Sequence, residues 1–426
     1  MVFEVGIGTS QEWDPERAID DAVTQALSTL TDSPKFALLF STIHYEKDKG
    51  FQRILNKVYA KIPQNTPLIG GTVAGFSNSK GCFTRGLTIA LFNTDLVKPY
   101  VSIGENTKRN PTKAAEQYQQ RLEKNIGNTK EKELNSILII SGGKVPYIPF
   151  LKQGRVITSN IIGEIVSKMT GLTLRFMQKG VAREEEILSH LKKIDPNSNF
   201  ISLSAMDDER MDKNFVFYNN KVTSDVIVGL TLVGEMKFDI NTEVSLNDTG
   251  LKFQVTKIGK DKRTLKELNN YPAKEEFIRR MGWPKDYFNE NIYRKVFFYP
   301  ITQIKDGQEL PCVAGLFLGN NIYTTYQIES DEISIKSYSG NKVIESVEND
   351  MRKHDLNPLK FLFVVECGIR LEAMGRRVFK VKDKIEEFTL GKPFLLVYPA
   401  GEGTYINKVL RYGNETYNTF RIMEKR

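Results

Sequence analysis

Short continuous apolar runs alternate along this chain with stripes of apolar residues at helical spacing. Residues 36–42 form an apolar run of strand length; Phe51, Ile54, Leu55, Val58 and Tyr59 then mark one helix face, and residues 67–75 return to strand character. The same order recurs near the end of the chain. Residues 361–367 read as a strand, Leu371, Met374, Val378, Val381, Ile385 and Phe388 as a helix face, and residues 393–401 as a second strand.

Spacing ties the two stretches together. The leading Phe and the later Pro stand 31 residues apart in one and 32 in the other, and Pro to Gly is 8 in both, ending at Gly75 and Gly401. A looser third copy runs from the strand at 136–143 through a helix carrying Ile187, Leu188, Leu191 and Ile194 to the strand at 199–205, with an insertion at about 144–174. A strand-helix-strand unit in a compact domain favours a crossover with its two strands parallel. Hairpins are expected after the first unit, at residues 82–92, and after the third, where residues 215–218 turn at Asn219-Asn220 into 226–233. The expected fold class is therefore mixed α/β: repeated strand-helix-strand units forming mixed sheets flanked by helices, in a layered sandwich of two domains.

Local punctuation supports this. Asp14, Pro15 and Glu16 make a helix start ahead of a stripe of Ala18, Ala22, Ala26 and Leu30, and Asn110-Pro111 opens another helix. Turn residues at 247–250 precede a new strand at Leu251. The domains are accordingly expected at 1–247 and 248–426.

Composition narrows the chemistry. The chain has 426 residues, 40% hydrophobic and 26% charged, as in ordinary globular proteins. Its formal charge of +8 raises the question of nucleic acid, but basic residues interleave with acidic ones, as at 130–133 and 382–387, so no nucleic-acid partner is expected. No run reaches the length of a membrane span, and the first residues lack the pattern of a signal peptide, so the expectation is a cytoplasmic protein without membrane insertion. Cys82, Cys312 and Cys367 are odd in number and scattered, which suits free thiols. His44, His190 and His354 are too dispersed for a zinc site. Gly6-Ile-Gly8 and residues 141–144 lack the spacing of phosphate loops. Neither metal nor cofactor is expected.

With these elements in hand, the chain resembles the FIST family. Residues 36–92 resemble the FIST N-terminal domain. Its C-terminal partner is resembled by Val255-Thr256, residues 265–268 with 271–273, Cys367 with Arg370, residues 400–402 and residues 414–416. The resemblance implies a stand-alone pair of FIST domains over 1–247 and 248–426, acting as a sensory module of signal transduction. It implies a small-molecule ligand such as an amino acid, held between or at the edge of the domains. With no output region recognised in the sequence, an unknown signalling protein partner is expected to read the signal.

The residues point to one candidate site. Cys367 and Arg370 stand where a strand gives way to a helix, and Gly401 and Glu402 end the second strand of that unit, so a crossover places them at one carboxyl edge, where open α/β sheets bind ligands. Arg370 there suits a ligand carboxylate and Glu402 its amine. Alternatively, the two pair with each other. Gly71 and Gly75, at the matching positions of the first unit, allow close approach of a ligand or of packed backbone. Asn414 and Thr416 line the cleft or cap a strand, and His44 is a further cleft candidate. No catalytic residue is assigned. A cysteine-dependent enzyme acting through Cys367, and a protein-recruiting scaffold without ligand, stand as alternatives; Cys367 has no histidine in its motif to serve as base.

Overall fold

The chain is described by a computed structural model that covers residues 2–127, 133–144, 156–176, 182–208, 210–284 and 292–425; the part of the expected insertion at 145–155 lies outside them. One order of elements runs through the molecule three times. The first set is β1 (Phe3–Ser10), α1 (Pro15–Leu27), β2 (Phe36–Ser41), α2 (Gly50–Lys61), β3 (Leu68–Thr72), β4 (Gly75–Asn78), β5 (Gly81–Phe83) and β6 (Leu87–Thr94). The second begins with β7 (Val97–Glu105), α3 (Pro111–Ile126) and β8 (Asn135–Ser141), and then inserts β9 (Val156–Ile157) and α4 (Asn160–Phe176). It resumes with α5 (Glu184–Ile194), β10 (Asn199–Ala205), β11 (Val216–Tyr218), β12 (Lys221–Thr223) and β13 (Val226–Gly234).

The third set opens with β14 (Lys237–Glu243) and is interrupted at once. The interruption comprises β15 (Asn247–Ile258), β16 (Thr264–Leu268), β17 (Tyr271–Pro272), α6 (Ala273–Met281) and α7 (Ile292–Val296). It continues through β18 (Ile301–Lys305), β19 (Gln308–Cys312), β20 (Ala314–Leu318), β21 (Asn321–Thr324) and β22 (Glu332–Ser337). Then follow α8 (Gly340–Arg352), β23 (Leu359–Glu366), α9 (Gly368–Met374), α10 (Phe379–Thr389) and β24 (Phe394–Tyr398). The set closes with β25 (Glu402–Ile406), β26 (Val409–Gly413) and β27 (Tyr417–Met423).

Three six-stranded sheets result, in the orders β1-β6-β2-β3-β11-β12, β7-β13-β8-β10-β25-β26 and β14-β27-β23-β24-β4-β5. In each, the central pair is parallel: β2 with β3, β8 with β10, and β23 with β24. The outer pairings of all three sheets are antiparallel. The fold is thus the expected mixed α/β arrangement. One hairpin differs from expectation: Asn219-Asn220 joins β11 to the short β12, β11 pairs with β3 of the first sheet, and β13 lies between β7 and β8. Each short hairpin leaves its own sheet to extend another, so the three sheets are mutually tied. Residue 247 opens β15, the first strand of the interruption of the third set, which builds most of a fourth sheet.

Apolar inner faces of the three sheets share one core. Phe40 of β2 stacks on Phe363 of β23 at 5.7 Å between ring centres, Phe92 meets Phe361 edge-on at 4.9 Å, and Ile137, Ile139, Ile201 and Leu203 arrive from the second sheet. Every ring buried this way contributes about 1.5–3 kcal/mol of transfer free energy. Helices cover the outer faces: α1 and α2 on the first sheet, α3 and α5 on the second, α8 and α10 on the third. The helix caps show how sequence sets the ends. Asp14 accepts hydrogen bonds from the backbone of Glu16 and Arg17 at 3.1 and 2.9 Å, whereas Asn110 precedes α3 without a side-chain cap bond.

The fourth sheet, ordered β19-β18-β22-β15-β16-β21-β20-β9 with β17 on β16, shares a core with α3, α5 and the outer side of the second sheet. Its placement matters for the site. Among the described residues, no helix is long and apolar enough to cross a membrane.

Candidate functional site

The second strand of each parallel pair ends at the same end of the shared core, and backbone hydrogen bonds close these ends into a ring. Ala74 N–H donates to Tyr398 O, Met206 N–H to Thr72 O, and Ala400 N–H to Ser204 O, each at 2.9 Å. Three strand ends that satisfy one another leave little freedom here, since buried backbone groups must be paired. Gly71 and Gly75 serve this packing. A Cβ on Gly71 would stand 2.9 Å from Phe215 O, and one on Gly75 would stand 2.7 Å from Phe83 O and 3.0 Å from Leu371.

Above the ring lies a cavity of about 30 Å³. Its floor comes from Met206, Cys367, Gly368, Pro399 and Ala400, and its cover includes Phe297, Val313 and Thr325, which lie between the elements of the inserted segment. That volume holds about one water molecule. Asn414 lines it and stitches floor to cover: its Nδ2 donates to Ala400 O at 2.9 Å, and Thr325 Oγ1 donates to its Oδ1 at 2.7 Å. Asp207, at the β10 end, accepts from the backbone of Met211, Asp212 and Lys213 at 2.8, 2.8 and 3.1 Å, which folds Met211 back to the cavity.

Beneath Cys367 sits a group of buried carboxyls. Glu402 is 2% exposed; Thr416 Oγ1 donates to its Oε2 at 3.1 Å, while its Oε1 has no hydrogen-bond partner among the described residues. Glu415 is 0% exposed, and neither of its carboxyl oxygens has a partner there. Burial holds both carboxyls well above the ordinary carboxylate range. The Cys367 thiol, also buried, is pushed well above its usual value by burial first and by Glu402 next. Such a thiol is a poor nucleophile.

Arg370 is not part of this opening. Its guanidinium is wholly buried, with Nε donating to Glu366 Oε1 at 2.6 Å, Nη1 to Glu415 O at 3.3 Å, and Nη2 to Val343 O at 3.2 Å and to Ser346 Oγ. The rings of Tyr338 and Tyr417 lie 5.5 and 5.7 Å from its Cζ. The side chain expected to hold a ligand carboxylate instead joins β23, α8 and α9, because Glu366, the last residue of β23, already pairs with it. Glu402 is likewise not its ion-pair partner. Cys367, Gly401, Glu402, Asn414 and Thr416 do come together at one end of the molecule. His44 lies apart, with Nδ1 3.0 Å from Thr42 Oγ1 and its ring edge-on to Trp13.

The structure adds residues that sequence reasoning passed over. Glu184, first residue of α5, accepts from Ser204 Oγ at 3.0 Å, and Tyr326 donates to Gly413 O at 3.1 Å. Both press on Gly401: a Cβ there would stand 2.4 Å from Tyr326 Oη and 2.9 Å from Glu184 Oε1. Glu185 pairs with Arg263 of the inserted sheet, and burial lifts its carboxyl to about 7. Three consecutive acidic residues at a helix start carry no sign in the sequence that Glu184 and Glu185 are buried. Glu415 was in plain view between Asn414 and Thr416, and Glu366 next to Cys367. No group of His, Cys, Asp and Glu among the described residues is arranged to hold a metal ion.

No curated protein matches the sequence. Among solved structures that match is a cyanuric acid hydrolase from A. caulinodans, at 7% identity and a TM-score of 0.25, covering 55% of this chain and 72% of that one; at that score it carries no argument about fold or chemistry. Residues 35–271 match the family model of the FIST N domain, a domain generally sensory in signal transduction, and with more than half of its length matched this chain belongs to the FIST family.

Proposed function

We propose that this chain is a sensory module whose ligand is a small molecule bearing an ammonium or guanidinium group, an amino acid among the candidates, received where the inserted sheet covers the ring of strand ends. The observation that carries the reading is the pair Glu402 and Glu415: buried, in no ion pair although the Arg370 charge acts on both, with three carboxyl oxygens unbonded among the described residues. Buried polar groups are nearly always satisfied, and an exception asks for an explanation. A ligand cation supplies one. Arg370 is already engaged, so recognition rests on the ligand's cation more than on a carboxylate.

An amino acid does not fit a cavity of about 30 Å³. Binding therefore requires the inserted sheet to move away from Met206, Cys367 and Ala400, and that displacement is the signal a partner protein reads. We place this partner's contact on the C-terminal half, which we take to play the part of a FIST C-terminal domain, in a cytoplasmic protein. The enzyme reading has nothing to favour it, since Cys367 is buried and its thiol is raised.

Thermal denaturation against a panel of amino acids and simple amines tests the proposal. A true ligand at a hundred times its Kd stabilises the fold by about 2.7 kcal/mol, and Glu402→Gln should remove most of that gain. Hits that stabilise wild type and Glu402→Gln equally would end the proposal.

A further inference from the structure

The helix α4 (Asn160–Phe176), within the insertion of the second set, carries an apolar face that no part of the described protein covers. Ile161 is 76% exposed, Ile162 46%, Ile165 52% and Met169 51%. At 3.6 residues per turn these four fall within roughly 100° of the helix circumference. The opposite face is the one that packs. Gly163 lies so close to the β20–β21 turn that a Cβ would stand 2.2 Å from Gly319 N, Glu164 accepts from Asn321 Nδ2 at 2.9 Å, and Val166 packs on Ile157, Leu316, Leu318 and Tyr323. The helix is held by one side and presents isoleucines on the other.

Charge distinguishes the kind of surface this face suits. Residues 144–182 hold six basic residues and a single acidic one, Glu164, so a net +5 of the chain's +8 falls in this segment, while Arg183, next along, pairs with Glu186 of α5. Elsewhere acidic and basic residues interleave; here they do not. Lys168, which is exposed, flanks the apolar stripe on the helix. Nucleic acid would use the charges but leave Ile161 and Ile165 in water. A second copy of this chain would bring the same excess of positive charge to its own partner. An anionic lipid surface satisfies both features, taking isoleucine and methionine side chains into the acyl boundary and Lys168 among its headgroups, with the positive charge of the segment drawing the face toward it.

We propose that α4 docks the protein on the surface of membranes rich in anionic lipid, lying in the interface plane without crossing it. This places the sensory module at a membrane and is independent of the ligand site.

Sedimentation with vesicles tests it. The full chain should pellet with phosphatidylcholine vesicles containing phosphatidylserine, and not with phosphatidylcholine alone, and rising salt should release it. Lys168→Ala should weaken binding roughly fivefold, as one basic residue near such a surface does. The double variant Ile161→Asp with Ile165→Asp should weaken it more than about tenfold, with the thermal midpoint unchanged because both sites are exposed; should that variant misfold, the Ser pair replaces it. Failure to pellet with anionic vesicles, or equal pelleting of wild type and double variant, would overturn the proposal. So would a dimer in light scattering that the double variant dissolves while vesicle binding is absent, which would assign the face to a second copy.

Discussion

Arg370 and Glu415 are both wholly buried at the same end of the molecule, and the guanidinium of one reaches the backbone carbonyl of the other. Their surroundings differ completely. Arg370 finds a carboxylate, two carbonyls, a hydroxyl and two tyrosine rings. Glu415 finds no hydrogen-bond partner for either carboxyl oxygen among the described residues. Burial alone thus says little about role. A satisfied buried charge specifies how β23, α8 and α9 meet, while a buried carboxyl without hydrogen-bond partners costs stability and asks for an explanation.

The largest effect expected from this contrast is at Arg370. Arg370→Ala leaves Glu366 buried without its cation and should cost about 3–5 kcal/mol, read by urea unfolding. A loss under about 1 kcal/mol, the worth of a surface pair, would place the guanidinium in water and erase the comparison.

Gly401→Ala comes next. The new methyl would meet Tyr326 Oη and Glu184 Oε1 at 2.4 and 2.9 Å, and overpacking of this kind costs about 1–3 kcal/mol. A negligible cost would mean that Tyr326 and the inserted sheet give way readily, which would itself sharpen the account of how a ligand enters.

Glu415→Gln should act in the opposite direction and by less. Burial raises the folded-state pKa of this carboxyl, so its full contribution is present below the unfolded pKa of about 4.5 and is lost as pH rises toward the folded value. Glutamine mimics the neutral acid at every pH. The variant should therefore melt with wild type near about pH 4.5 and above it near about pH 8. Equal melting at both would show that the carboxyl has a partner or reaches water.

Much of the architecture was legible because it is local. Apolar runs of strand length at 36–41 and 361–366, each followed by a helical stripe, announce crossover units, and Asp14-Pro15 announces a helix start. What was hidden is long-range. Nothing near residue 76 signals that β4 pairs with β24, some 320 residues later, because a short strand carries no address for its neighbour. The candidate site divides the same way. Cys367 and Glu402 could be brought together by counting along strands, whereas Asn414 and Thr416 were reached only through the family resemblance. Arg370 could be placed at the edge but not oriented: the choice between a ligand and Glu366 depends on side-chain packing against Val343 and Ser346, which lie on a helix whose position the sequence does not state. Tyr326 belongs to the inserted segment, just past β21, and left no mark at all.

Proton release on ligand binding tests the central claim most directly. Burial holds the Glu402 and Glu415 carboxyls well above the ordinary range and so favours their protonated forms, while an entering ammonium group is best met by a carboxylate, so binding should release a proton to the buffer. Calorimetry with the best amine from the thermal panel, repeated in two buffers of different ionisation enthalpy near neutral pH, should report about one proton released per ligand bound. Binding without proton release, at the same affinity in wild type and Glu402→Gln, would contradict the account.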